Sequence, residues 1–351
     1  MPTWGEQIRE LRNLKQAADK SPKPGDSSPH DLLRRKYLNA LSEHTGRATI
    51  FYGTCWLENK PAPNGDALSL NLGDKQGFME AVSNVSEREL DLILTSPGGS
   101  PEAAEAIMGY LRSRFDHIRA VVPVAAMSAA TMMSLACDEI LMGTHSQLGP
   151  IDPQFTLHTP EGPRSAPAQA ILDQFEMAKA ECQVPGNIGA WLPLLRALLP
   201  GLIAQCIHSR EQAERFVAEQ LEAHMLQGDR DKSRAVAEWF ADFSEFKSHG
   251  RPVTISDALG QGLKVTRLED DQELQDLVLS VHHAVRHTFN NTGTTKLIEN
   301  HHGRAYLEMT GQFLMQQGQP APQIPSGAQP NPNREQRRNN QRSGNQKGRG
   351  R

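Results

Sequence analysis

Apolar and polar positions along residues 46–155 alternate between two rhythms. The short runs RATIFYGTCW, DLILT, IRAVVPV and DEILM have the length and β-branched content of buried strands, and apolar residues three and four apart fill the segments between them. DKQGFMEAVSNV spaces Phe78, Ala81, Val82 and Val85 in this way; PEAAEAIMGYLRSRF does so with Ala103, Ile107, Tyr110 and Leu111 behind Pro101, a residue suited to a first helical turn. Strands alternating with helices predict a largely parallel α/β core.

The rhythm changes after residue 166. Up to residue 247 the segments PAQAILDQFEMAKAEC, EQAERFVAEQLEAHML and DKSRAVAEWFADFSEF read as amphipathic helices that need a partner surface. A short unit, HGRPVTISDALGQGLKV, and a helix near 269–289 come next. AWLPLLRALLPGLIAQCI, residues 190–207, is apolar over about one bilayer-spanning length. Pro193, Arg196, Pro200 and Gly201 interrupt it, so it reads as a buried helical hairpin or an oligomer surface rather than a membrane span. Residues 1–45 read as a polar helical extension with a SPKPGDSSP linker, and 312–351, rich in Gln, Pro, Gly, Asn and Arg, as a disordered tail.

Composition narrows the classes. At 351 residues and 38% hydrophobic, the chain has material for a large core. The formal net charge of -4 hides an asymmetry, because residues 331–351 carry seven Arg or Lys against Glu335 alone. The body is therefore acidic, which argues against general nucleic-acid binding and leaves the basic tail as the one segment suited to RNA or an acidic surface. Cys55, Cys137, Cys182 and Cys206 form no CxxC pair, and the charged N-terminal stretch lacks the apolar core of a secretion signal. Reduced thiols and a cytoplasmic location are expected.

The candidate chemistry lies at two strand ends. In DLILTSPGGSPEAAEAI, Gly98 and Gly99 let backbone amides face a concavity beside a helix N-terminus, an arrangement that binds an anion or the oxyanion of an attacked carbonyl. About thirty residues on, VVPVAAMSAATMMSLACDEILMG places Ser128 at a second strand-to-helix junction. A serine there commonly serves as a helix N-cap. On a neighbouring parallel strand opening at the same edge, it is also a hydroxyl nucleophile beside an oxyanion cradle.

The combination of SPGG, SA-x-T, DEI-x-MG and LGPIDPQ resembles the serine dehydrogenase proteinase family, relatives of signal peptide peptidase A and of the Clp protease subunit, over roughly residues 45–290. The resemblance implies a ClpP/crotonase-like spiral of β-β-α units with a helical second half, working as a homo-oligomeric serine peptidase on peptides or unfolded proteins. It implies Ser128 as nucleophile, with an oxyanion hole from the Gly98-Gly99 turn and the Ala129 amide, the Gly98 amide foremost. No cofactor or metal is implied. The Clp subunit pattern places a histidine about two dozen residues after the serine, where this chain reads GPIDPQ with Asp152 and Pro153. Signal peptide peptidase A uses a lysine some fifty residues downstream, which points to Lys179; His145 and His158 are the alternative bases.

Two departures weigh against full activity: many family members carry lysine before the serine and glycine two residues after it, where this chain has Met127 and Ala130. An inactive scaffold or adaptor of the same fold, and a crotonase-type acyl-CoA hydratase or hydrolase, are the competing readings. His283 and His287, four apart on a helix, together with His301-His302, allow a metal site to be drawn, but no carboxylate partner completes it in sequence. Asp138-Glu139 reads as a strand start rather than a carboxylate pair.

Overall fold

The computed structural model describes residues 4–20, 27–58, 65–159, 162–196, 198 and 200–310. Helices α1 (Trp4–Lys20) and α2 (Pro29–Thr45) come first. After them come β1 (Ala48–Thr54), α3 (Asp74–Val82), β2 (Glu89–Thr95), α4 (Pro101–Arg112), β3 (His117–Val122), β4 (Ala125–Ala126), α5 (Ala129–Leu135), β5 (Glu139–Met142) and β6 (Gln147–Leu148). A hairpin of β7 (Gln154–Thr159) and β8 (Gly162–Pro167) leads into α6 (Ala168–Glu181), α7 (Ile188–Arg196), α8 (Leu202–Gln220), α9 (Arg230–Ala241), α10 (Phe243–Phe246) and α11 (Ile255–Gly260). The last elements are β9 (Val265–Arg267), α12 (Gln272–Asn291), β10 (Thr294–Asn300) and β11 (Ala305–Met309).

The main sheet has the order β11-β10-β1-β2-β3-β5-β9. Its five strands from β1 to β9 run parallel, while β10 is antiparallel to β1 and β11 to β10. Both faces of the parallel part are covered, which is why Leu92, Ile93 and Leu94 of DLILT are apolar in succession rather than alternating. Leu90, Leu92 and Leu94 enter one core with α3, α4, α5, α8 and α9; Ile93 enters a second with Phe51, Val121, Leu141, α2 and α12. Each fully buried side chain of this kind contributes about 1.5–3 kcal/mol.

The α/β core is thus as the hydrophobic pattern predicts. Beyond α12 the chain returns as β10 beside β1, so the central sheet extends past residue 290. The region expected to be helical from 166 is helical from Ala168, with the hairpin of β7 and β8 over 154–167 set in front of it. Residues 190–207 are not a buried hairpin: α7 buries no residue and leaves Ile188, Leu192 and Leu194 exposed, and the chain goes inward only at Leu202 and Cys206. Among the described residues no helix is long and apolar enough to cross a membrane. The basic tail at 312–351 lies outside the described residues.

A second, shorter row of strands crosses above the C-terminal edge of the main sheet. Ser96 bridges Ala126 in parallel, β4 pairs β6 in parallel, and Leu148 bridges Val253 in the antiparallel sense. β2, β3 and β5 thus each pass into this row, at Ser96, β4 and β6, and helices follow directly after the first two, giving a β-β-α repeat. The turns that leave Ser96, Ala126 and Leu148, and the loop that enters Val253, are delivered to one place.

Candidate active site

Four chain segments meet there, and each is held by its own local chemistry. Ser128 stands at the N-cap position of α5 with φ 53 and ψ −120, a conformation that costs a non-glycine residue on the order of 1–3 kcal/mol. Its side chain makes no capping hydrogen bond, so the ordinary role of a serine at this position is vacant and the hydroxyl is turned outward. The turn is fixed from behind. Thr131 Oγ1 donates to the Ala126 carbonyl at 2.7 Å and accepts from the Gly149 amide at 2.9 Å, tying the serine turn to the GPID segment.

The glycine turn is built around the serine. A Cβ on Gly98, at φ +94, would lie 2.5 Å from the Met127 carbonyl, 2.6 Å from Ser128 Cβ and 2.8 Å from the Ala129 nitrogen. Only glycine lets the two backbones approach so closely. Leu70 flanks the turn, its amide donating to the Gly98 carbonyl at 2.7 Å and its carbonyl accepting from the Ser100 amide at 2.9 Å. In this parallel bridge the Gly99 amide faces away from Leu70.

That geometry departs from the expected arrangement of amides. The Gly98 amide, the foremost donor on the resemblance, instead donates to Ser96 Oγ at 3.1 Å inside the turn. Among the described residues the amides of Gly99 and Ala129 donate to no protein group. Gly99 and Ser128 line one cleft of about 350 Å³, which Pro97, Met132, Ile151 and Phe155 make partly apolar.

The same cleft holds a group that sequence patterns do not reveal. His249 lines it, and its Nδ1 lies 2.7 Å from Asp152 Oδ1. Asp152 stands four residues past Leu148 and His249 four before Val253, so the antiparallel bridge at Leu148–Val253 sets the two opposite one another. The Asp152 side chain is 2% exposed, and its other oxygen accepts from Gln154 Nε2 at 2.7 Å. A buried carboxylate on Nδ1 fixes the imidazole tautomer that leaves Nε2 free to take a proton. The signal for this pair was GPIDPQ itself, whose aspartate needs a partner when buried; the partner is 97 residues away in sequence.

Lys179 is not brought to the cleft. It comes directly after Ala178, which faces inward on α6, and its ammonium is exposed and paired with Glu176 at 2.8 Å. That environment lacks the burial a lysine base requires. Of the alternative bases, His145 is exposed on the turn after β5 and does not line the cleft, while the side chain of His158 lies outside the described residues. Met127 and Ala130, the departures near the serine, are both buried; Met127 packs its sulfur end over Gly149.

The remaining candidates are structural. Trp4 stacks on His287 at 3.8 Å between ring centroids and meets His283 edge-on, so the histidine pair on α12 is covered by α1. Burial lowers both, His287 to about 4, and pushes neighbouring His282 down to about 3. Glu87, His301 and His302 bring donor atoms within 4.8 Å of one another, the grouping among the described residues that could hold a metal ion. His301 Nε2 already meets Glu87 at 3.3 Å, and its Nδ1 accepts from the Thr49 amide. Asp138 accepts from Arg112 and from the Ile118 amide, which ties β5 to β3 and holds its carboxyl below the usual range against the opposing effect of burial.

Known proteins resemble parts of the chain. Two uncharacterized proteins of Methanocaldococcus jannaschii are 35% identical over 113 residues, 32% of this chain and 37% of theirs, and 30% identical over 107 residues, 30% and 34% respectively. The chain thus spans about a third of the length of these curated relatives. Among solved structures, a variant of the membrane-bound stomatin-specific protease 1510-N aligns with 60% of this chain and 79% of its own at 14% identity and TM-score 0.36. A variant of ClpP1 from Listeria monocytogenes aligns with 60% and 95% at 15% identity and TM-score 0.30. A family model described as ClpP-like SDH-type serine proteinase matches residues 70–283, more than half of the chain, and the chain belongs to that family.

Proposed function

We propose that the protein is a serine endopeptidase whose working groups are Ser128, His249 and Asp152, with the amides of Gly99 and Ala129 as the oxyanion hole. Ser128 Oγ attacks the scissile carbonyl carbon as its proton passes to His249 Nε2, and the carbonyl oxygen becomes an oxyanion facing the two amides. Collapse breaks the C–N bond, and the proton on His249 goes to the leaving amine. Water then repeats the sequence on the acyl-serine, returning the proton to Ser128. Asp152 keeps the ring oriented and stabilises the imidazolium without taking the proton itself.

The observation that carries this reading is the buried Asp152–His249 hydrogen bond in the cleft that Ser128 and Gly99 line. An extended peptide laid along the glycine turn is the substrate it fits, added as a strand, with an apolar side chain against Met132, Ile151 and Phe155. Assembly into a homo-oligomer, with the exposed apolar face of α7 available for contact, belongs to the same proposal.

Covalent labelling with a fluorophosphonate tests it. Wild type and Lys179→Ala are expected to label at equal rates, and Ser128→Ala and His249→Ala not at all. Labelling that survives in Ser128→Ala overturns the peptidase reading in favour of a crotonase-type enzyme, which has no need of that hydroxyl. A wild type that fails to label points to the scaffold.

A further inference from the structure

A buried polar chain runs from β10 to the glycine turn, and none of its members lines the cleft except at its last step. Lys296 and Asp74 are both 0% exposed and form a salt bridge at 2.7 Å. Tyr52, also 0% exposed, donates from its hydroxyl to Asp74 Oδ2 at 2.9 Å. Ser96 is fully buried just past the end of β2. The Gly98 amide donates to Ser96 Oγ.

A carboxylate only accepts, so Tyr52 donates to Asp74, whose charge Lys296 neutralises. Tyr52 thus orients the carboxylate whose ion pair reaches the turn.

The same ion pair grips the other side of the turn. Lys296 Nζ donates to the Ser69 carbonyl at 3.0 Å and the Asn71 amide donates to Asp74 Oδ2 at 3.0 Å, bracketing the Leu70 whose backbone bonds Gly98 and Ser100. Gly98 is thus held from inside through Ser96 and from the flank through Leu70. With the Gly98 amide drawn inward and Leu70 engaged, the Gly99 amide is left facing the cleft.

We propose that Tyr52, Asp74 and Lys296 are positioning residues that aim the Gly99 amide at the developing oxyanion, an inference that rests on the serine peptidase reading above. Their bland role, stabilising the sheet edge, makes a different prediction. An ion pair that only holds the fold affects ground state and tetrahedral adduct alike, whereas one that aims an oxyanion donor affects the adduct selectively.

The experiment compares a short peptide aldehyde ending in an apolar residue, which adds Ser128 to form the tetrahedral adduct, with the corresponding peptide alcohol, which cannot. Tyr52→Phe keeps the ring and its stacking on Phe78 while deleting the hydrogen bond that orients Asp74; Ser96→Ala deletes the acceptor of Gly98 and serves if the first variant folds poorly. Val281→Ala, in the core on the opposite face of the sheet, controls for lost stability. Aldehyde affinity is expected to fall about 10–100-fold in both test variants, somewhat less than deletion of an oxyanion donor, with alcohol affinity within twofold of wild type and both unchanged in Val281→Ala. Unchanged aldehyde affinity, or equal loss for both ligands, overturns the inference. If wild type forms no Ser128-dependent adduct, the peptidase reading itself fails, and that result is distinct from the other two.

Discussion

Asp152→Asn tests the assignment of the base most sharply, because it changes chemistry with little change of shape. Asp152 is 2% exposed, meets His249 Nδ1 at 2.7 Å and Gln154 Nε2 at 2.7 Å, and has no water-facing side on which a substituent could relax. An amide removes the negative charge opposite the ring. The lost charge-assisted hydrogen bond is worth about 1.5–3 kcal/mol, which at about 1.4 kcal/mol per decade is roughly 10–150-fold in rate. Turning the amide so that its NH2 faces Nδ1 also favours the tautomer that carries its proton on Nε2, where Ser128 must deliver one, so the total fall is expected at about 10²–10⁴-fold. The assay is the second-order rate of fluorophosphonate labelling, with circular dichroism to verify the fold. A labelling rate in Asp152→Asn within threefold of wild type, or a loss in Lys179→Ala that His249→Ala does not share, refutes the reasoning.

Three further outcomes rest on the coordinates. Gly98→Ala forces a Cβ to within 2.5–2.8 Å of three atoms of the serine turn at a positive φ, so labelling should be abolished and thermal unfolding should come at lower temperature by several degrees. Arg34 is fully buried between Glu299, Thr288 and Asp31, and Arg34→Ala leaves the buried Glu299 carboxylate with Arg35 as its remaining cationic partner; urea unfolding should show a loss of up to about 3–5 kcal/mol, more than Glu299 and Arg34 replaced together by apolar residues. His282 and His287 have folded pKa values depressed to about 3 and about 4, so as pH falls below the ordinary histidine value the unfolded chain binds protons that the folded chain refuses. Stability is therefore complete above about pH 6.5 and declines toward pH 3–4, by about 1.4 kcal/mol per pH unit for the nearly fully buried His282; His282→Gln should flatten the decline in a series of urea melts.

Local pattern carried the architecture because each β-strand and helix of the core declares its burial in its own residues. Leu92, Ile93 and Leu94 of DLILT are apolar in succession since both faces of a parallel strand are covered, and the glycine pair and Ser128 mark turns with positive φ. These features are properties of a few consecutive residues. What the sequence did not carry is pairing across distance. The Gly98 amide is taken up inside the turn by Ser96, which leaves Gly99 as the proposed oxyanion donor. His249 replaces Lys179 as the proposed base because helix spacing says where a lysine stands in the chain but not which side of α6 faces solvent. The Asp152–His249 bond exists only once the Leu148–Val253 bridge sets their register. A residue's type and neighbours determine the shape of the turn it sits in; whether its side chain can move a proton depends on burial and partners, and those are decided when distant segments of the sheet close over one another.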